Sequence, residues 1–120
     1  MANSLIRSGA GEELWTSERC FIREQLNDPD VSDVSLARTR VEPGMTTELH
    51  RLAVKEWYVI SHGVGMMEVA GEPPFEIGPG DVVVIPENTS QRVSNTGDED
   101  LVFQCICVPR FTPECYESLE

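Results

Sequence analysis

Two glycine-bounded blocks decide the fold: GMTTELHRLAVKEWYVISHG over residues 44–63 and GDVVVIPENTSQRVSN over residues 80–95. Each block contains two short apolar runs joined by turn-forming residues, which is typical of two strands joined by a turn. In the first block His50, Leu52 and Glu56 lie at even spacing, so their side chains share one face of an extended strand. The blocks therefore predict a sheet face that collects polar side chains.

Outside these blocks, short β-rich runs and turn signals continue to alternate, and no segment shows a helical period. This pattern predicts an all-β sandwich or barrel. Residues 1–12 are expected to form a flexible N-terminal arm and residues 13–120 a single domain, with Phe111 and Tyr116 anchoring the C-terminal tail. The predicted strands cover residues 20–23, 34–41, 49–52, 56–61, 66–69, 75–77, 82–85, 91–94 and 101–108.

The composition limits the classes of partner. A chain of 120 residues has room for one modest core. Its 21 acidic and 9 basic residues give a formal charge of -12, which argues against nucleic acid or an anionic membrane as a partner. The N-terminus lacks an apolar signal core, so we expect a cytoplasmic protein with four free cysteines.

The first block resembles the first motif of the cupin superfamily, G-x5-H-x-H-x3-E-x6-G. Gly44, His50, Glu56 and Gly63 match that motif in register, and Leu52 stands in place of its second histidine. The resemblance extends over roughly residues 34–109. It implies a double-stranded β-helix, or jelly-roll, barrel that is commonly dimeric.

The second block resembles the second cupin motif, G-x5-P-x-G-x2-H-x3-N. Gly80, Pro86 and Asn95 match it, whereas Asn88 replaces the glycine and Gln91 replaces the histidine. Two of the three imidazoles that cupins use for a metal are therefore missing.

The resemblance implies a degenerate metal site formed by His50, Glu56 and Gln91. The cofactor would be a divalent ion, Fe, Mn, Ni or Zn, that is weakly bound or absent, because a neutral amide oxygen is a poor ligand for borderline metals. Two interpretations of His50 stay open: a metal ligand, or a hydrogen-bonded histidine in a pocket. An inward Glu56 would form a charge-assisted pair with His50 and could act with it as a general acid and base.

Two other groups are candidates for the same cavity. Tyr58 shares a strand face with Glu56, so it is either a third catalytic candidate or a core aromatic residue with its hydroxyl at a wet edge. Phe103, Cys105 and Cys107 share a face of the last long strand. For both cysteines an inert buried thiol is favoured over a metal ligand or a redox-active group.

Two functions follow from these residues. The first is a small cupin that binds a small molecule in the barrel as a metal-dependent enzyme, similar to the dioxygenases, isomerases and epimerases among small cupins. The second is a metal-free barrel that binds or senses a small molecule through His50, Glu56 and Gln91. We also expect a homodimer, because Trp57 and Val59 alternate with inward residues and point away from the cavity.

Overall fold

The computed structural model describes residues 4–7 and 11–120, which form eleven short strands and one turn of 3-10 helix. The prediction of an all-β fold is confirmed. In chain order the strands are β1 (Leu14–Trp15), β2 (Phe21–Leu26), β3 (Ser35–Val41), β4 (His50–Leu52), β5 (Lys55–His62), β6 (Gly65–Val69), β7 (Phe75–Ile77), β8 (Val82–Ile85), β9 (Gln91–Asn95), β10 (Leu101–Val108) and β11 (Tyr116–Ser118), with the 3-10 helix over Pro113–Cys115.

The strands form two antiparallel sheets. The six-stranded sheet has the order β1-β2-β3-β10-β5-β8, and the five-stranded sheet has the order β11-β4-β9-β6-β7. Buried and partly exposed residues alternate along the strands, as in β9 and β6. The buried faces of both sheets supply one apolar core, whose largest members include Phe103, Ile60, Met67, Ile85 and Leu101. The core lies between the two sheets, beside the polar residues of the two blocks.

The turns explain why the blocks are bounded as they are. Gly63 has a φ of +78°, and a Cβ there would lie 2.5 Å from the carbonyl oxygen of Asp100, so only glycine fits. Asn88, which stands where the second motif has glycine, adopts a φ of 58°. Asparagine tolerates this left-handed region better than other residues with a side chain. The substitution therefore keeps the turn.

The last motif residue has a structural role. The amide nitrogen of Asn95 donates to the carbonyl oxygens of Val41 and Glu99, both at 2.8 Å, and its oxygen accepts from the backbone N–H of Gly97. Asn95 thus ties β9 to the end of β3 and to the following turn. This network links the two sheets.

The predicted strands differ from the observed ones mainly at their ends, and two strands were missed. β1 and β11 are only two and three residues long and lack a strong alternating pattern. Phe111 and Tyr116 pack against Leu52, Val54 and Cys107, so both tail anchors are confirmed.

Two further expectations concern the ends of the chain and its surroundings. Of the predicted arm, residues 1–3 and 8–10 lie outside the described residues, and the boundary at residue 12 stays a prediction. Among the described residues, no helix has the length and apolar character needed to cross a membrane.

Candidate functional site

A cavity of about 420 Å³ lies between the sheets, and the first motif block contributes Thr47, His50, Leu52, Glu56 and Tyr58 to its wall. This volume is in the range of small-molecule binding sites. Half of the lining residues come from β2, β3, β5 and β10. The others come from residues 11–20, from Thr47 and β4, and from the C-terminal segment. Apart from the cysteines, the polar and aromatic lining side chains are Glu12, Thr16, Glu18, Glu24, Ser35, Thr39, Thr47, His50, Glu56, Tyr58, Phe103, Phe111 and Tyr116.

His50 is held in this wall by its backbone register and by stacking. It begins β4, pairs with Gln91 of β9 on one side and with Ser118 of β11 on the other, and is only 3% exposed. Its ring stacks on Tyr116 with centroids 4.8 Å apart and planes inclined by 14°. The stacking fixes the orientation of the His50 ring, and the ring that stacks on it belongs to Tyr116, near the C-terminus.

The two ring nitrogens of His50 have different surroundings. Nδ1 lies 2.8 Å from the carbonyl oxygen of Glu48, and a carbonyl oxygen only accepts, so Nδ1 carries the hydrogen. Burial lowers the pKa of His50, which favours the neutral ring. Nε2 then carries a lone pair and has no hydrogen-bond partner among the described residues. One nitrogen fixes the ring, and the other is available to a ligand in the cavity.

Glu56, Gln91 and Tyr58 form a buried hydrogen-bonded row across the two sheets. The Gln91 amide nitrogen donates to Glu56 Oε1 at 2.8 Å, and the Gln91 oxygen accepts from the Tyr58 hydroxyl at 2.5 Å. The residues are 6%, 1% and 5% exposed respectively. Tyr58 also stacks on Phe103 at 4.3 Å, so its hydroxyl lies in the interior and not at a wet edge. Both ends of the Gln91 amide are therefore occupied.

The surroundings of Glu56 disfavour its charged form. Burial raises the pKa of this carboxyl to about 7, while the hydrogen bond from Gln91 acts in the opposite direction. The thiol of Cys107 lies 3.8 Å from Glu56 Oε2. Glu56 is thus a carboxyl group whose proton can be gained or lost near neutral pH.

Cys105 and Cys107 of β10 line the cavity as protonated thiols. Burial raises the pKa of both Cys105 and Cys107, so neither is a thiolate near neutral pH. Cys105 lies 3.3 Å from the hydroxyl of Thr39. Their raised pKa values agree with the preference for inert thiols.

The sequence did not point to Glu18, a further carboxylate of the cavity wall. This residue precedes Cys20 in the β1–β2 loop, and its side chain makes no hydrogen bond to the described residues. Burial and the neighbouring charge of Glu48 raise the pKa of Glu18 to about 7. No spacing relates Glu18 to the motif blocks, so only the fold brings it to the cavity.

The charge-assisted pair expected between His50 and Glu56 is not formed. The hydrogen bond of His50 goes to Glu48, and that of Glu56 comes from Gln91. Burial explains the difference, because it disfavours both the imidazolium and the carboxylate that such a pair needs.

The donor set for a metal is smaller than the motif alignment implied. Nε2 of His50 and the Glu56 carboxyl are ligands of the right type, but the Gln91 oxygen already accepts from Tyr58. Leu52 is 4% exposed and packs among apolar neighbours where cupins have a second histidine. Among the described residues, no group of three or more His, Cys, Asp or Glu side chains is arranged to hold a metal ion. Metal binding by His50, Glu56 and Gln91 stays a prediction.

Comparison with solved structures identifies the architecture. A single-residue variant of oxalate decarboxylase from Bacillus subtilis superposes with a TM-score of 0.76 at 28% identity, over 90% of this chain. The chain spans only 30% of the length of that protein. A predicted oxalate decarboxylase from Thermotoga maritima has a TM-score of 0.76 at 24% identity, over 88% of this chain and 98% of its own. The expected jelly-roll barrel is confirmed.

Comparison at the sequence level agrees. An uncharacterised protein of Methanocaldococcus jannaschii is 34% identical over 108 residues, which cover 88% of this chain and 86% of its own. The family model described as "Cupin domain" matches residues 37–109, which include both motif blocks. The two blocks, the paired sheets and these similarities lead to one conclusion: this chain belongs to the cupin family.

Proposed function

We propose that this cupin binds a small molecule in its barrel and that His50, Glu56 and Glu18 are the groups that recognise it. The observation that carries this proposal is that only one of the two ring nitrogens of His50, Nδ1, has a hydrogen-bond partner among the described residues. In the part of the chain that the structure describes, Nε2 is not one of the buried polar atoms that lack a partner, so it is accessible from the cavity, and a ligand there can donate a hydrogen bond to it. The row of Glu56, Gln91 and Tyr58 supports the wall beside it, so the site is rigid before a ligand arrives.

Filling the cavity tests this proposal. Ala37 lines the cavity, whereas Ala53 is exposed outside it, so Ala37→Phe and Ala53→Phe form a matched pair. Ligand-detected NMR with a fragment library of cationic, neutral and anionic members should find fragments that bind wild type and Ala53→Phe but not Ala37→Phe. Fragments that bind all three proteins equally would place the binding site elsewhere, and the proposal would fail.

The second candidate is a metal-dependent enzyme with a weakened site at His50, Glu56 and Gln91. The open lone pair of His50 and the similarity to oxalate decarboxylase structures support it. A divalent ion bound there would supply Lewis-acid chemistry. His50 and Glu56 would hold it, and Tyr58 would keep the Gln91 amide in position.

Metal content separates the two candidates. Untagged wild type, His50→Ala and Leu52→His are incubated with Fe, Mn, Ni or Zn, and the bound metal is measured. If this site binds metal, His50→Ala should lose it and Leu52→His should hold it more tightly, because a second imidazole is restored. Equal metal content in all three would assign any metal to another place and favour the metal-free barrel.

We also propose a homodimer formed through the outer face of the six-stranded sheet. β8 is the edge strand, and its Val82 and Val84 are 56% and 61% exposed. They pair with Val59 and Trp57 of β5, so the apolar outer face continues inward from the edge. An apolar face beside an unpaired strand edge is suited to a second copy of the same sheet.

Light scattering at micromolar concentration tests the assembly. Wild type should have twice the monomer mass of 13.4 kDa. Val84→Glu should shift it toward the monomer, whereas Val64→Glu, an exposed valine elsewhere, should not. A monomeric wild type would contradict the proposal.

A further inference from the structure

The charged residues of the cavity wall all have one sign. The wall contains four glutamates, Glu12, Glu18, Glu24 and Glu56, and none of the described residues that line it is a lysine or an arginine. Glu12 and Glu24 are exposed and lie at the opening, whereas Glu18 and Glu56 lie further inside. A negatively charged ligand would meet repulsion along this whole path and no cation at its end.

The neutral polar groups of the cavity also favour a ligand that donates hydrogen bonds over an anion. The open Nε2 of His50 is a hydrogen-bond acceptor, because Nδ1 carries the ring hydrogen. The hydroxyl groups of Tyr58 and Tyr116 already donate, to Gln91 and to a carboxylate oxygen of Glu48 respectively. The open acceptors of the cavity are the Nε2 lone pair of His50 and the carboxylates, whereas the Thr47 hydroxyl accepts from the backbone N–H of Val93 and keeps a hydrogen to donate. The acceptors match a ligand that brings several N–H donors.

The rest of the wall is apolar and aromatic. Phe103, Phe111 and Tyr116 line it with Leu14 and Ile22. Aromatic faces attract an organic cation through their quadrupoles, and the apolar side chains accommodate a hydrocarbon body. The wall thus combines hydrogen-bond acceptors for the charged end of a ligand with an apolar surface for its hydrophobic part.

We infer that the cavity selects a small organic cation, an amine with a short apolar or aromatic body. The inference rests on the proposed binding function and names the class of its ligand. The ammonium group is received by Glu18, Glu56 and His50 Nε2, and its body packs on the aromatic wall. This preference is opposite to that for a small dicarboxylate such as oxalate, the compound in the names of the structurally similar proteins.

Matched ligands that differ only in their polar end test the inference. Calorimetric titrations at about pH 8, where an alkylammonium keeps its charge, use 2-phenylethylamine, 2-phenylethanol and 3-phenylpropionate. Butylamine, 1-butanol and pentanoate form a second, aliphatic series. In the series that fits the cavity, the amine should bind about tenfold or more tightly than the alcohol, because hydrogen bonds to charged groups are stronger than neutral ones. The carboxylate should show no saturable binding.

Two variants identify the group responsible. Glu18→Gln should weaken amine binding by about tenfold and leave alcohol binding unchanged. Glu76→Gln removes the same charge from an exposed position outside the cavity and should change neither affinity. An equal loss in both variants would reduce the effect to overall charge and overturn the inference.

The remaining outcomes separate the inference from the proposed function. If a carboxylate binds as tightly as its amine, and Ala37→Phe abolishes that binding, the cavity is a binding site but the preference for cations is wrong. Absence of saturable binding by all six compounds would contradict both.

Discussion

The row of Glu56, Gln91 and Tyr58 and the neighbouring ring of His50 differ in how fully their hydrogen-bonding groups are used. The Gln91 amide donates to Glu56 and accepts from Tyr58, so both of its ends are occupied. His50 uses Nδ1 for the Glu48 carbonyl and leaves Nε2 open to the cavity. The two positions are backbone partners on adjacent strands. Their difference indicates that Gln91 has a structural role, whereas His50 keeps a site for a ligand.

The largest expected effect comes from breaking the hydrogen-bonded row of Glu56, Gln91 and Tyr58. Gln91→Leu leaves the Glu56 carboxyl and the Tyr58 hydroxyl buried without their partner. Each unsatisfied group costs about 1–3 kcal/mol, so the free energy of unfolding should fall by about 3 kcal/mol. Urea unfolding measures this loss.

Gln104→Leu is the matched control for that change. Gln104 is half-buried and bonds to Gln25, and its loss should cost less than about 1 kcal/mol. Similar losses in both variants would mean that the row of Glu56, Gln91 and Tyr58 has no special structural role.

A smaller effect should appear in the pH dependence of stability. Because the pKa of Glu18 is raised to about 7 in the folded state, the folded chain binds a proton there that the unfolded chain releases above its ordinary pKa near 4.5. This contribution is complete below about pH 4.5 and is lost as the pH rises through about 7, by at most about 1.4 kcal/mol per pH unit. The ionisable groups near Glu18 are Glu48, Glu56, Cys20, Tyr58, Cys105 and Tyr116.

Unfolding midpoints at a series of pH values test that slope. Glu18→Gln carries no proton and should flatten the decline between about pH 4.5 and 7, whereas Glu76→Gln should keep the wild-type slope. An unchanged slope in Glu18→Gln would show that the carboxylate is well solvated. The part of the cavity around Glu18 would then be less buried than its geometry indicates.

The smallest expected effect concerns the stack behind His50. Tyr116→Phe keeps the ring that packs on His50 and removes only the hydroxyl that donates to Glu48. The free energy of unfolding should fall by about 1 kcal/mol or less, and ligand affinity should stay unchanged. A loss as large as that of Gln91→Leu would mean that the Glu48 contact belongs to a second structural network.

Much of the fold could be predicted because local sequence rules and tertiary structure agree. Gly63 and Asn88 stand where the backbone needs positive φ, and the alternation of apolar residues in the long strands matches their burial. The same register brought His50 and Glu56 to one cavity and placed Gln91 in hydrogen-bond contact with Glu56. These relations depend on spacing within short segments, which a sequence displays directly.

The remaining site residues could not be predicted for the opposite reason. Glu18 comes from the β1–β2 loop and Tyr116 from the C-terminal strand, each outside the motif blocks. Their places depend on contacts between distant parts of the chain, and neither carries a spacing signal. The expected pair of His50 with Glu56 is not formed because burial disfavours both charged forms, and the two groups bond instead to Glu48 and Gln91, which the spacing does not display.

The central claim is that His50 is neutral, with its hydrogen on Nδ1 and its Nε2 lone pair open to the cavity. Long-range proton–nitrogen NMR of protein labelled with ¹⁵N-histidine measures this directly, and the chain has only two histidines, His50 and His62. His62→Gln assigns the signals. At neutral pH the account predicts a protonated Nδ1 and an unprotonated Nε2 for His50, with the Nε2 signal shifting when an amine ligand binds. A hydrogen on Nε2, or a cationic ring, would contradict it.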